Sequence, residues 1–252
     1  GPPEFDASII QRPGVLEQTV GDALASGQFT ADQVLEGTNR DEWRLFVAAE
    51  QLVTGRPPLE SQIDNDQQYQ EELIDRYGFV TAGNIDAVVS AYPLSDFDNA
   101  DLAVSSVGTD PIFACRGLAN IVASSQHVPV YAYEFADRNA PLPAPVFGQL
   151  APTLGAAHAT EIPYILDPAT SIADNFTDDS ASLADAMIRH WAYFARNGDP
   201  NPSDGSLPMW APFPDQGYQS LEAPAGDSAP FTVSRGGTSF STYHNCSLWS
   251  GG

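Results

Sequence analysis

The sequence predicts an α/β fold, and three stretches carry that prediction. The run Gln33-Val34-Leu35 is short and apolar and leads into the polar, glycine-containing segment Gly37-Thr38-Asn39-Arg40-Asp41-Glu42. This is the pattern in which a buried strand delivers side chains to a loop at its carboxyl end. Val128 to Phe135 (Val-Pro-Val-Tyr-Ala-Tyr-Glu-Phe) alternates bulky β-formers and predicts the clearest strand of the chain. From Leu183 to Arg196, the positions Leu183, Met187, Ile188, Trp191, Phe194 and Ala195 repeat at helical spacing, and Asn197-Gly198-Asp199-Pro200 closes that helix.

The remaining elements follow in order. A short helical pattern around Val15 to Leu24 stops at Ser26-Gly27. Residues 62–77 and 84–92 read as helices, the first strongly acidic, with Gly78 and Gly83 as stops. A third helix is predicted from about Asp110 to Ser124, with Phe113, Cys115, Leu118 and Ile121 on one stripe. Residues 136–157 are rich in Pro, Ala and Gly and predict a long ordered loop, a feature that in compact domains usually serves function. Beyond the Leu183 helix the chain reads as short strand-like pieces. No repeat, low-complexity block or linker divides residues 1–252, so a single unit is expected.

The 252 residues carry 33 acidic and 10 basic side chains, a formal charge of −23. A field this negative opposes nucleic acid and anionic membrane surfaces, which require Lys/Arg patches. No apolar run is long enough to span a bilayer. All ten basic residues are Arg, which removes the Schiff-base and P-loop chemistries that need a Lys.

Cys115 and Cys246 lie too far apart for a CxxC metal or redox site, leaving two free thiols or one long-range disulfide. Of the four histidines, His190 falls within the amphipathic helix and His127 just before the strand, so both read as structural. His244, two residues before Cys246, reads as part of a surface turn. His158 differs, because it ends the long loop among Gly155, Ala156, Ala157 and Ala159, small neighbours that leave room for a substrate. Glu42 is a candidate partner, since acyl-transfer triads require an acid on the imidazole Nδ1–H. Asp41-Glu42 alone reads equally as a charge pair at a helix N-terminus.

Six segments together resemble the type-B carboxylesterases, the α/β-hydrolase family that includes cholinesterases and lipases. They are Gly37 to Glu42, Asp110 to Cys115, Val130 to Phe135, Gly155-Ala156-Ala157-His158 with Glu161, Trp191 to Asn201, and Cys246-Ser247-Leu248-Trp249, in family order. Two positions depart from it: Trp43 stands where a Gly is frequent, and Glu36 where a small or apolar residue is usual. The resemblance implies a mostly parallel sheet flanked by helices, the C-terminal portion of an α/β-hydrolase domain. It implies Glu42 as triad acid, His158 as triad base, Glu161 as the acid that orders the loop, and a Cys115–Cys246 disulfide. It calls for no metal or organic cofactor.

In α/β-hydrolases the nucleophilic Ser precedes the acid on a G-x-S-x-G elbow. No two glycines of this sequence are four residues apart, and only Ser8 and Ser26 precede Glu42. The serine and the oxyanion-hole glycines are therefore expected on an upstream segment or a second chain, with the 252 residues alone inactive. The implied function is hydrolysis of a small-molecule carboxylic ester. The alternative is a non-catalytic, cholinesterase-like protein-binding domain. The disulfide and the N-glycosylation pattern at Asn175-Phe176-Thr177 imply a secreted protein, although the first residues carry no signal-peptide pattern.

Overall fold

A computed structural model describes residues 18–141, 154–166, 176–215, 217–223, 234–235 and 237–250. Asn175 and the middle of the predicted 136–157 loop lie outside them. Four strands form one sheet in the order β1-β2-β3-β4: β1 is Val34–Asn39, β2 Val130–Phe135, β3 Tyr218–Leu221 and β4 Ser234–Arg235. The first three are parallel, with Val34 opposite Val130 and Ala132 opposite Tyr218, and β4 is antiparallel to β3. β1 packs tightly on its neighbour because Gly37 has no side chain: a Cβ there would lie 2.3 Å from the Tyr133 carbonyl oxygen.

A short helix, α1 (Val20–Ser26), precedes β1. Between β1 and β2 come α2 (Arg44–Val53), α3 (Asp66–Arg76), α4 (Ile85–Ala91), α5 (Ala100–Thr109) and α6 (Cys115–Ser124). α2 to α5 enclose a core of Val47, Tyr69, Leu73, Val88, Ala103 and Val107, against which Trp43 packs. The predicted third helix is the last part of a longer helical run. α5 begins at Ala100, capped by Asn99, whose side chain accepts the Leu102 N–H; a π-turn occupies Asp110–Ala114, and α6 continues to Ser124. Pro111 has no N–H to keep the regular ladder, and the chain widens by one residue there, with Cys115 N–H donating to the Asp110 carbonyl.

After β2 come α7 (Ile162–Leu166), α8 (Asp178–Asn197), α9 (Gly237–Tyr243) and α10 (Cys246–Trp249). α8 lays Leu183, Ala184 and Met187 against Phe135, Tyr164 and Leu221. It starts at Thr177, whose hydroxyl accepts the Ser180 N–H, and ends at Gly198 in the left-handed conformation. Cys115 and Cys246 form a disulfide across 131 residues, fixing α10 to the start of α6. In the chain-entropy view, closing a loop of that size contributes about 5 kcal/mol. Among the described residues no helix is long and apolar enough to cross a membrane.

Candidate active site

The site forms where β1 and β2 end. Past Asn39 the chain turns, and Arg40 N–H still bonds the Phe135 carbonyl of β2 at 2.9 Å. Glu42, three residues beyond β1, is buried, and its carboxylate folds back onto the strand that delivers it. Oε1 accepts the Asn39 N–H at 2.8 Å and the Thr38 hydroxyl at 3.0 Å. Oε2 is thereby aimed at His158 Nδ1, 2.7 Å away. Asp41 and Glu42 directly precede α2, as a charge pair at a helix N-terminus would, but α2 has no side-chain cap and the Trp43 N–H bonds the Thr109 hydroxyl.

His158 arrives on the segment that returns from β2. Its own N–H donates to the Glu42 carbonyl at 3.3 Å, and Asp41 N–H donates to the Ala156 carbonyl at 2.9 Å, so two short stretches remote in sequence are stitched side by side. The turn after His158 places Ala159 at φ 68°, held by the Thr160 hydroxyl on the Ala157 carbonyl. Asn39 Nδ2 donates to that same carbonyl at 2.7 Å and also to the Glu161 carboxylate. Glu161 thus ties the turn to the end of β1.

The imidazole is 45% exposed, against 7% for the Glu42 side chain, so the pair is anchored from within and open on one side. Phe46 and Phe113 flank the ring at centroid distances of 5.2 and 5.5 Å. The hydrogen bond that His158 donates to the Glu42 carboxylate raises the His158 pKa above the ordinary histidine value, against partial burial, with Glu161 adding to the effect at longer range. Donation to Glu42 fixes the proton of the neutral ring on Nδ1, leaving the Nε2 lone pair to accept one. Among the described residues no group of three or more His, Cys, Asp or Glu side chains is set to hold a metal ion.

Glu42, His158 and Glu161, named from the sequence, lie together in the structure, and the residues that fix them were not named. Thr38 and Asn39 are in the strand-end motif but gave no signal of which carboxylate they would serve, and Phe46 and Phe113 come from separate helical segments. Trp43, one of the two departures, is accommodated by Gly108, where a Cβ would sit 2.4 Å from the indole. Glu36, the other, is half-buried; burial pushes its carboxyl pKa up, partly offset by a hydrogen bond from Asn120. Of the other histidines, His127 is exposed and its Nε2 pairs with the Ala25 carbonyl, while His190 is buried with Nδ1 on the Pro200 carbonyl.

His244 corrects the surface-turn reading. It is buried at 1% exposure, with Nδ1 on Asp110 at 2.7 Å and Nε2 on Glu134 at 2.9 Å. Glu134 also takes Arg40 at 2.8 Å, and Asp110 takes the Tyr92 hydroxyl at 2.6 Å. The sequence neighbourhood of the disulfide does not reveal this, because both carboxylates lie more than a hundred residues upstream.

A buried carboxylate at the end of one parallel strand, meeting a histidine on the segment following the next, is the arrangement of an α/β-hydrolase. A model of the Carboxylesterase family matches residues 2–233. The chain belongs to the carboxylesterase family, and its mostly parallel sheet flanked by helices is that family's α/β-hydrolase fold. It is 32% identical over 200 residues to an acetylcholinesterase of Bungarus fasciatus, an alignment that covers 73% of this chain and 30% of that relative's length.

Proposed function

We propose that this chain supplies the acid and base of a Ser-Glu-His triad in a secreted carboxylic ester hydrolase, whose serine and oxyanion donors lie outside these 252 residues. The observation that carries the reading is the 2.7 Å bond from His158 Nδ1 to a Glu42 carboxylate already saturated on its other oxygen. His158 Nε2 takes the serine proton as the hydroxyl attacks the ester carbonyl. Glu42 stabilises the imidazolium that forms and keeps the ring in register. The imidazolium then protonates the departing alcohol, and the neutral ring activates water to release the acid. Phe46 and Phe113 restrict the rotation of the ring between these steps. The reaction calls for no cofactor. Residues 1–252 constitute the C-terminal portion of the catalytic domain in this reading. The disulfide supports folding in an oxidising compartment, and Asn175 is the glycan acceptor.

The test is hydrolysis of p-nitrophenyl acetate. The 252-residue chain alone turns over no faster than its His158→Ala variant, whereas a longer protein or two-chain assembly containing the serine loses turnover on the same substitution. His158-dependent turnover by the isolated chain overturns the assignment of the serine to another segment. Indifference of the assembly to His158→Ala overturns the triad and favours a protein-binding role.

A further inference from the structure

Asp41 precedes the acid by one residue, is buried at 6% exposure, and takes no part in the chemistry just proposed. Its two oxygens are crowded with donors. Arg138 reaches it with Nε at 2.9 Å and Nη2 at 3.0 Å, a two-pronged pairing, and Arg44 Nη2 adds a contact at 2.9 Å. The fourth donor is the Ala156 N–H, at 3.2 Å on Oδ2. Ala156 returns the contact through its carbonyl, which accepts the Asp41 N–H at 2.9 Å. The carboxylate rests on bare backbone: Gly155 has φ 62°, and a Cβ there would lie 2.7 Å from Oδ2 and 2.9 Å from Arg44 Nη1.

Three chain segments therefore meet at one side chain: the start of α2 through Arg44, the segment leaving β2 through Arg138, and the His158 loop through Gly155 and Ala156. The His158 loop has two layers of attachment to the β1–α2 turn. One is the Glu42 layer, at His158 itself. The other is the Asp41 layer, two residues earlier. The imidazole is nearly half exposed and flanked by Phe46 and Phe113, and it meets Glu42 only where the backbone of residues 155–158 presents it there. We propose that Asp41 is a positioning residue for the catalytic base, its charge holding Arg44 and Arg138 together so that the Gly155–His158 backbone presents the imidazole to Glu42. The proposal rests on the triad reading for the word catalytic, but the geometry it claims belongs to this chain alone. Without the carboxylate, two guanidinium groups that repel each other are left beside the loop, and the Ala156 N–H loses its acceptor.

An ion-pair cluster that only stabilised the fold would have the same contacts, so the test must read His158. Glu42 and Glu161 raise the His158 pKa; loss of the Arg138 cation would by charge alone raise it further, so a fall on removing that cation must travel through the loop. NMR titration of the histidine C2 protons in the 252-residue chain follows His158, with His190 of α8 as an internal control. In Asp41→Asn, which keeps the side-chain shape, the His158 midpoint falls towards that of a free histidine, and His190 is unchanged. Arg138→Gln, at a half-exposed side chain, gives a smaller fall in the same direction and is the deciding variant where Asp41→Asn does not fold. A His158 midpoint unmoved in a folded Asp41→Asn, or in Arg138→Gln where the first variant is unfolded, overturns the proposal. Either result is independent of esterase activity, so failure of the triad reading is seen separately, in the hydrolysis assay of the assembly.

Discussion

Two histidines in this molecule are hydrogen-bonded to carboxylates at the same 2.7 Å, yet they are built for opposite ends. His158 meets one carboxylate through Nδ1 and is nearly half exposed, with Nε2 unclaimed among the described residues. His244 is enclosed, and both its nitrogens are spent, on Asp110 and Glu134. The ion-pair cluster of Asp41, beside the His158 loop, and that of His244 line one polar cavity of 470 Å³, to which Arg40, Asp41, Arg44, Arg138, Asp110 and His244 contribute. What separates the two rings is the number of acceptors and access to solvent. A ring with one acceptor can pass a proton through its other nitrogen, while a ring with two acceptors is held as a cation and serves as a cross-link between β2, the π-turn and the C-terminal segment.

The contrast is sharpest in the response to deletion. His158→Ala in an assembly carrying the serine should lower kcat on the order of 10⁴-fold, with a stability loss of only about 1 kcal/mol because Glu42 keeps Thr38 and Asn39 on its other oxygen. His244→Ala should do the reverse in stability, costing about 3–5 kcal/mol in urea denaturation, because it leaves Asp110 and Glu134 buried without their shared cation. Equal stability losses for the two variants would erase the distinction.

The pH dependence follows from the same geometry. Burial opposes charge on His244, but the hydrogen bonds it donates to Asp110 and Glu134 outweigh it and raise its pKa to about 9 from the ordinary 6.5. A raised folded value means the stabilisation is complete below pH 6.5 and is lost as pH rises through 9. It amounts to about 3 kcal/mol, read as a decline in unfolding free energy across that window. Glu134 answers at the other end. Its burial is overcome by His244 and Arg40, its pKa is lowered to about 2, and its contribution, present above 4.5, is lost as pH falls through 2. The smallest effect is at Glu161: Glu161→Gln weakens one bond from Asn39, with a cost of about 1 kcal/mol and a slight fall in the His158 pKa.

Why one histidine was legible in the sequence and the other was not has a physical basis. β1, β2 and α8 declare themselves through local patterns, and Glu42 sits just past the end of β1 that one of those patterns marks. Glu42 and His158 were then joined by family resemblance, since nothing local in Ala157-His158-Ala159 names an acid 116 positions away. His244 depends on two such remote partners with no motif to announce them. Among the described residues five helices also escaped, α2, α5 and the short α7, α9 and α10, the last two lying where strand-like pieces were expected. α5 is buried on nearly every side, so it has no polar stripe to set its period, and its second half is Val, Ser, Gly and Thr, which are weak helix formers. α2 buries the small face of Val47, Ala48 and Gln51 and leaves Phe46, Leu52 and Val53 exposed, which blurs the apolar repeat.

The direct measurement is an NMR pH titration of the C2 protons of His158 and His244 in one sample of the folded chain, repeated with Glu42→Gln. His158 should titrate reversibly with a midpoint above 6.5 that drops when Glu42 is neutralised, while His244 stays in its imidazolium form until about pH 9. A His158 midpoint indifferent to Glu42→Gln, or a His244 that titrates like a free histidine, would contradict the account.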